Sequence, residues 1–221
     1  MNRQENIKRF EELMGKVNRD GMDELMKYIR ESDFYSAPAS TRFHLSCEGG
    51  LLQHSLNVYD CLLNKAKHSP TWACILADAG AEALILCPLL HDLCKTHFYA
   101  VDFKNQKTYD QEKVKAAERW QVKHDNNGDF IWETVPCYTV NDKVPYGHGE
   151  KSVMMIEQFI KLTGPERFAI RWHMGGWDLP YQSQEMTGSQ KRARELTPLI
   201  TLIHTADAMA ADMMERPYTT L

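Results

Sequence analysis

The chain lacks the features that would place it in a membrane, a secretory route or a structural thiolate site. No charged-then-apolar leader opens it and no uninterrupted apolar run reaches membrane length, so a soluble, cytoplasmic protein is expected. Its six cysteines, at 47, 61, 74, 87, 94 and 137, form no Cys-x-x-Cys pair. Several lie within apolar helical runs, which predicts buried reduced thiols. Internal repeats and low-complexity tracts are absent. A broad basic surface is missing too. The formal net charge is −4 with the basic residues dispersed, which argues against long nucleic acid as a partner. The run QKRAR at 190–194 and the lysines Lys104, Lys107, Lys113 and Lys115 could form a local patch, although such runs are more often a solvated face. No linker or shift of composition divides the 221 residues, which suffice for one sizeable core.

What the chain does hold is an ordered series of imidazoles and carboxylates: His54, the doublet His91-Asp92, His148, His173 and Asp207. Nitrogen and carboxylate ligands without thiolates suit Mn, Fe, Co or Zn acting on oxygen chemistry. His54 lies in GGLLQHSLNVYDCLL, where Leu51, His54, Val58 and Cys61 share one helical face, so its ring points where the apolar residues point. The apolar run AEALILCPLL ends abruptly in His91 and Asp92, with Lys95 one turn later. A carboxylate at the end of a buried stretch needs a cation or several donors, because an unpaired buried charge is very costly. In TPLITLIHTADAMAADMM, Ile200, Ile203 and Asp207 stack on one face, again placing an acid on an apolar stripe. His204, one turn earlier, is a weaker candidate for substrate contact or for supporting a ligand.

GGLLQHSLNV, LLHDLCK and the distal Asp of LIHTADAMAAD, in that order, resemble the HD-domain metal-dependent phosphohydrolase superfamily, over about Gly49 to Asp212. The resemblance implies an all-α helical bundle in which His54, His91, Asp92 and Asp207 hold one divalent ion. Members with two metals add two histidines between the doublet and the last Asp, and His148 and His173 stand in that interval. Two divalent transition-metal ions bridged by Asp92 are therefore expected. His148 precedes the amphipathic stretch GEKSVMMIEQFIKL, near the positive end of its helix dipole, which favours the neutral ring a ligand requires. His173 closes a helix that Gly175-Gly176 terminates.

Residues 1–40, with the patterns NIKRFEELMGKV and GMDELMKYIRES, predict a helical N-terminal extension packed on a 41–221 domain. A polar insertion covers about 100–147. Within it, DFIWETVPCYTVNDKVPYGHG alternates around Asn141-Asp142, which predicts a small β-hairpin turning there. Trp132, Tyr138 and Tyr146 either offer a face to a base or, as expected for at least two of them, staple the hairpin to the helices. Exoribonucleases of the superfamily share similar stretches but carry an OB-fold, for which forty helical residues before Thr41 are too few. The expected substrate is a small phosphate ester: a nucleotide or a short oligonucleotide. Asp92 and Lys95 are the expected catalytic pair, Asp92 bridging the ions and Lys95 reaching a phosphoryl oxygen or assisting the leaving group. Lys151 and Arg171 are weaker phosphate contacts. Non-haem di-iron oxygenases of the same superfamily use a similar ligand series, and a non-catalytic nucleotide or metal sensor is a third reading. Oligomeric state stays open.

Overall fold

In the computed structural model, residues 2–178 and 184–216 are described. Two helices come first, α1 (Arg3–Met14) and α2 (Met22–Glu31), followed by the long α3 (Gly50–His68), α4 (Pro70–Ala79) and α5 (Ala83–Leu90). A strand β1 (Tyr99–Thr108), a short helix α6 (Gln111–Ala116) and strands β2 (Lys123–Asp125) and β3 (Gly128–Val140) make up the insertion. The chain then returns to helices: α7 (His148–Ile156), α8 (Gly164–Arg171), α9 (Gln184–Leu196) and α10 (Leu199–Met209), the last running into a π-helical turn at Ala210–Met214.

Helix α3 is the axis of the core. Leu51, Leu52, Leu56, Val58 and Leu62 are buried along it, against α5 on one side and α10 on another. Phe10, Leu13 and Met14 of α1 and Leu25 and Ile29 of α2 belong to the same continuous apolar cluster, so the N-terminal helices share this core. Polar ties reinforce it. Arg19, in the turn between α1 and α2, reaches Glu82 at the start of α5 (2.7 Å) and both carboxylate oxygens of Glu166 on α8. Glu166 also closes the N-terminus of α8: it accepts the Thr163 backbone N–H at 2.7 Å while the Thr163 hydroxyl accepts its own N–H, a reciprocal cap.

The architecture is mainly helical, at 55%, and carries a three-stranded antiparallel sheet where only a small hairpin is expected on an all-α bundle. The strand order is β1-β3-β2, and β1 pairs with β3 from Tyr99↔Val140 to Thr108↔Ile131. The hairpin expectation is corrected in its turn. The chain reverses at Asn126-Asn127, between Asp125 and Gly128, whereas Asn141-Asp142 is where β3 leaves the sheet. Asn-Asn followed by a glycine at φ +112° is turn chemistry in its own right. The partner of β3, residues 99–108, is exposed over most of its length, so its sequence carries no buried-face alternation by which to recognise it. Nor do the aromatics staple the sheet as expected, since Trp132 and Tyr146 stay 50% and 54% exposed.

The sheet is anchored at the end nearest the helices: the Tyr99 hydroxyl donates to the Ala39 carbonyl at 3.1 Å, and the Asn141 N–H to Phe98 at 2.8 Å. No disulfide forms. Cys61, Cys87 and Cys94 are buried as expected, whereas Cys47 and Cys74 are exposed. No single helix among the described residues is long and apolar enough to cross a membrane.

Candidate metal centre

Four segments far apart in sequence deliver their polar groups to one point in the core. His54 comes from the buried face of α3 and Asp207 from the end of the α10 stripe, where Ile200 and Ile203 are fully buried. Helix α5 ends at Leu90. His91 keeps helical angles, but Asp92 departs to φ −107°, ψ 22°, and a 3-10 turn Leu93–Lys95 follows. In a 3-10 turn residues three apart eclipse one another, which sets Lys95 over Asp92. The Lys95 Nζ lies 2.6 Å from Asp92 Oδ2. His173 lies just beyond the end of α8, completely buried.

Each ring is tethered through one nitrogen so that the other faces the centre. His91 donates from Nδ1 to the Pro88 carbonyl (2.8 Å), and His173 from Nδ1 to the Ile170 carbonyl (2.7 Å). A carbonyl only accepts, so in the neutral rings Nε2 is a bare lone pair. His54 Nδ1 is held at 3.0 Å by both oxygens of Glu215. As a result His54 Nε2 and His91 Nε2 face each other at 3.3 Å, with Asp207 Oδ1 3.2 Å and Asp92 Oδ2 3.7 Å from His54 Nε2. On the other side of the same carboxylate, Asp92 Oδ1 lies 3.5 Å from His173 Nε2. Those two atoms are buried and have no hydrogen-bond partner among the described residues. With His173 neutral these are two acceptors aimed at each other, an arrangement that demands either a proton, which Asp92 favours by raising the pKa of the His173 ring against its burial, or a cation.

His54, His91 and Asp207 therefore form one group with ligand atoms close enough to hold a metal ion, and His91, Asp92 and His173 another. Asp92, Cys94 and His148 form a third. His148 is the first residue of α7, whose Gly147 cap precedes it, and its Nδ1 is 3.4 Å from the buried Cys94 sulfur. The Cys94 N–H donates to Ser152 of α7 at 3.1 Å, tying that helix to the 3-10 turn. Helix α7 can approach α8 because Gly149 has no side chain, and a Cβ there would collide with the Arg171 backbone.

Electrostatics follow from the geometry. Burial opposes the charge on Asp92, but Lys95, His91 and His173 outweigh it and hold the carboxyl well below the usual range. Asp207 is likewise lowered: burial is overcome by the hydrogen bond and charge of His54. Glu215 falls to about 2, burial being outweighed by hydrogen bonds from His44 and His54. Burial lowers His91, favouring its neutral form. For His54 burial works the same way but loses to Asp207 and Glu215, which push the ring up to about 9.

Some expected residues point elsewhere. Arg171 pairs with Glu150 at 2.6 Å and stacks over Trp172, and Lys151 is held by Asp142 at 2.5 Å. His204 donates from Nδ1 to the His173 carbonyl (2.6 Å) and lines the cavity above the cluster. Gly175, at φ +62°, leaves the space its ring needs. That cavity measures about 620 Å³; Lys95, His148, His204, Asp207 and His44 face it, opposite Phe43, Phe98, Tyr99 and Val140.

The sequence reading missed Glu215, His44 and Asn57. Glu215 is a buried hub, accepting from His44 Nδ1 at 2.5 Å and Asn57 Nδ2 at 2.8 Å besides His54. It follows the π-helical turn 210–214, where a 3.6-residue period loses its phase, so no helical-face count reaches it from Asp207. No family model, curated protein or solved structure matches the chain.

Proposed function

We propose that the protein is a metal-dependent phosphohydrolase of the HD-domain type, acting on a nucleotide or another small phosphate ester. The observation that carries this reading is the pair Asp92 Oδ1 and His173 Nε2, buried and without a hydrogen-bond partner among the described residues, beside the facing Nε2 atoms of His54 and His91. His54, His91, Asp92 and Asp207 would hold one ion, and Asp92, His148 and His173 a second. Bound divalent ions would lower the pKa of a water and offset charge on phosphoryl oxygens.

The chain's own residues supply the rest. Asp92 presents one oxygen to each side of the cluster, so it can bind both positions without moving. Lys95 stays charged: burial is outweighed by Asp92, which raises its pKa. It lines the cavity, where it can neutralise a phosphoryl oxygen or the departing alkoxide. Glu215 fixes the ring of His54 through Nδ1, as carboxylates commonly do for metal-binding histidines. The apolar wall of Phe43, Phe98, Tyr99 and Val140 suits the body of an organic ester such as a nucleoside.

The test is elemental mass spectrometry of the purified protein, paired with a panel of phosphomonoesters and phosphodiesters with and without added Mn, under air and anaerobically. Near two metals per chain with metal-dependent phosphate release under both conditions is the expected result. Two irons with oxygen-dependent turnover and no hydrolysis would replace this reading with an oxygenase. An inert protein that still binds nucleotide or metal would make it a sensor.

A further inference from the structure

A second cavity, of about 680 Å³, adjoins the first, and Thr41 lines both. Each volume falls within the roughly 300–1,000 Å³ of small-molecule sites. The segment 41–43 is the partition: Phe43 faces the first cavity, Arg42 the second, and the Arg42 guanidinium lies over the Phe43 ring at 5.0 Å. This loop is firmly built. Ser40 Oγ accepts the N–H groups of Phe43 (2.9 Å) and His44 (3.0 Å), and the Ser46 hydroxyl donates to the Thr41 carbonyl (2.7 Å).

The sheet runs beneath both cavities. Rung Tyr99↔Val140 faces the first, and Val101↔Tyr138, two residues further on the same face, belongs to the second. That step is about 7 Å along the strand. The second cavity also gathers two cations, Arg42 and Lys104; Lys104, three residues beyond Val101, leaves β1 on the opposite face and reaches the cavity around the free edge of that strand. Neither is paired with a carboxylate among the described residues, unlike the neighbouring Lys107, bound to Asp125, and Lys113, bound to Glu133. Unpaired cations beside Thr41, Ser46 and Gln106 hydroxyl and amide groups make an anion site, and Val101 and Tyr138 line the same cavity.

We propose that the second cavity is a subsite for a terminal phosphate, and that the substrate is a short linear phosphodiester of dinucleotide size. This rests on the hydrolase reading above. One nucleoside occupies the first cavity beside the metal centre. The other lies over Val101 and Tyr138 with its terminal phosphate between Arg42 and Lys104. Hydrolysis of the internal diester needs only water: a water oxygen bonds to phosphorus, one phosphorus–ribose oxygen bond breaks, and the proton passes to the released ribose hydroxyl. The products are a nucleoside or nucleotide and a nucleotide monoester.

The experiment compares diadenylate without a terminal phosphate (ApA) with its 5′-phosphorylated (pApA) and 3′-phosphorylated (ApAp) forms, as substrates and as non-hydrolysable methylphosphonate-linked analogues in binding calorimetry on the metal-loaded protein. One terminally phosphorylated form is expected to bind about tenfold or more tighter than ApA, with KM falling in parallel and the preference shrinking as salt rises. The double variant R42A/K104A is expected to bring that ratio close to one, while K115A, which removes a lysine outside the cavity lining, keeps it. Equal affinity of the wild-type protein for all three analogues overturns the subsite, as does a ratio unchanged in R42A/K104A. A wild-type preference in binding without cleavage of any diester keeps the anion subsite and overturns the diester as substrate; the hydrolase reading itself falls only if the phosphomonoester panel is uncleaved as well.

Discussion

Replacing Glu215 by Gln keeps the shape of the buried hub and removes its charge. The carboxylate now accepts from His54, His44 and Asn57, whereas an amide offers one oxygen acceptor and two donors that face ring nitrogens already carrying protons. His54 must then compete with His44 and Asn57 for the one acceptor left, which loosens the hold on its Nδ1–H that aims its Nε2 at His91 and Asp207. Loss of such a supporting partner typically weakens metal binding by about 10–100-fold. At free metal of about 100 times the wild-type Kd, binding stabilises the wild-type fold by about 2.7 kcal/mol, and the variant by about 0.4–1.4 kcal/mol. For a chain of this size the metal-induced rise in Tm should be smaller by about 3–9 °C. Differential scanning calorimetry across a metal titration measures it, and the chelated proteins provide the baseline against which any general destabilisation is subtracted. A metal-induced shift in E215Q equal to that of wild type would refute the claim that Glu215 organises the centre.

Asp92→Asn should cost the cluster its shared charge: metal content falls from near two per chain to one or none by elemental analysis, and chelator lowers Tm by less than the roughly 5–11 °C expected for the wild type. Gly149→Ala drives a Cβ into the Arg171 backbone, so α7 and His148 must shift from α8; a stability loss of about 1–3 kcal/mol by urea titration and a weakened second metal equivalent are expected. Glu166→Gln breaks its buried pairing with Arg19, at a cost of about 3 kcal/mol near pH 7. Burial is outweighed by the Arg19 hydrogen bonds, so the folded pKa of Glu166 lies below its usual 4.5. Its contribution is therefore complete above pH 4.5 and lost as pH falls through the lowered value, so the wild-type and E166Q melting curves should converge in acid. Curves that stay equally separated down to the acid limit of folding would count against that pair.

Where local periodicity is intact, the site was legible. His54 shares a face with Leu51 and Val58, all buried, and Asp207 continues the stripe of Ile200 and Ile203, because a side chain on the apolar face of a helix must enter the core wherever the helix lies. Asp92 was readable as a charge needing a partner for the same reason. Lys95 was expected one helical turn on, and a 3-10 turn brings it to 2.6 Å instead. Lys151 and Arg171 were placed near proposed ligands by sequence distance alone, yet each is held by a carboxylate, Asp142 and Glu150, that only folding brings alongside.

By itself, then, the sequence determined that His54, the His91-Asp92 doublet and Asp207 turn inward, through helical faces and the cost of unpaired buried charge. It also determined that the polar stretch after the doublet leaves the helical pattern. Tertiary structure alone decided that Asp92 shows one oxygen to His54 and His91 and the other to His173. It decided as well that Glu215 reaches back beneath His54 and that residues 99–108 pair with β3 to carry the sheet past two joined cavities. Those outcomes depend on contacts between segments distant in the chain, and neither a π-helical turn nor a strand exposed on both faces leaves a periodic trace from which to read them.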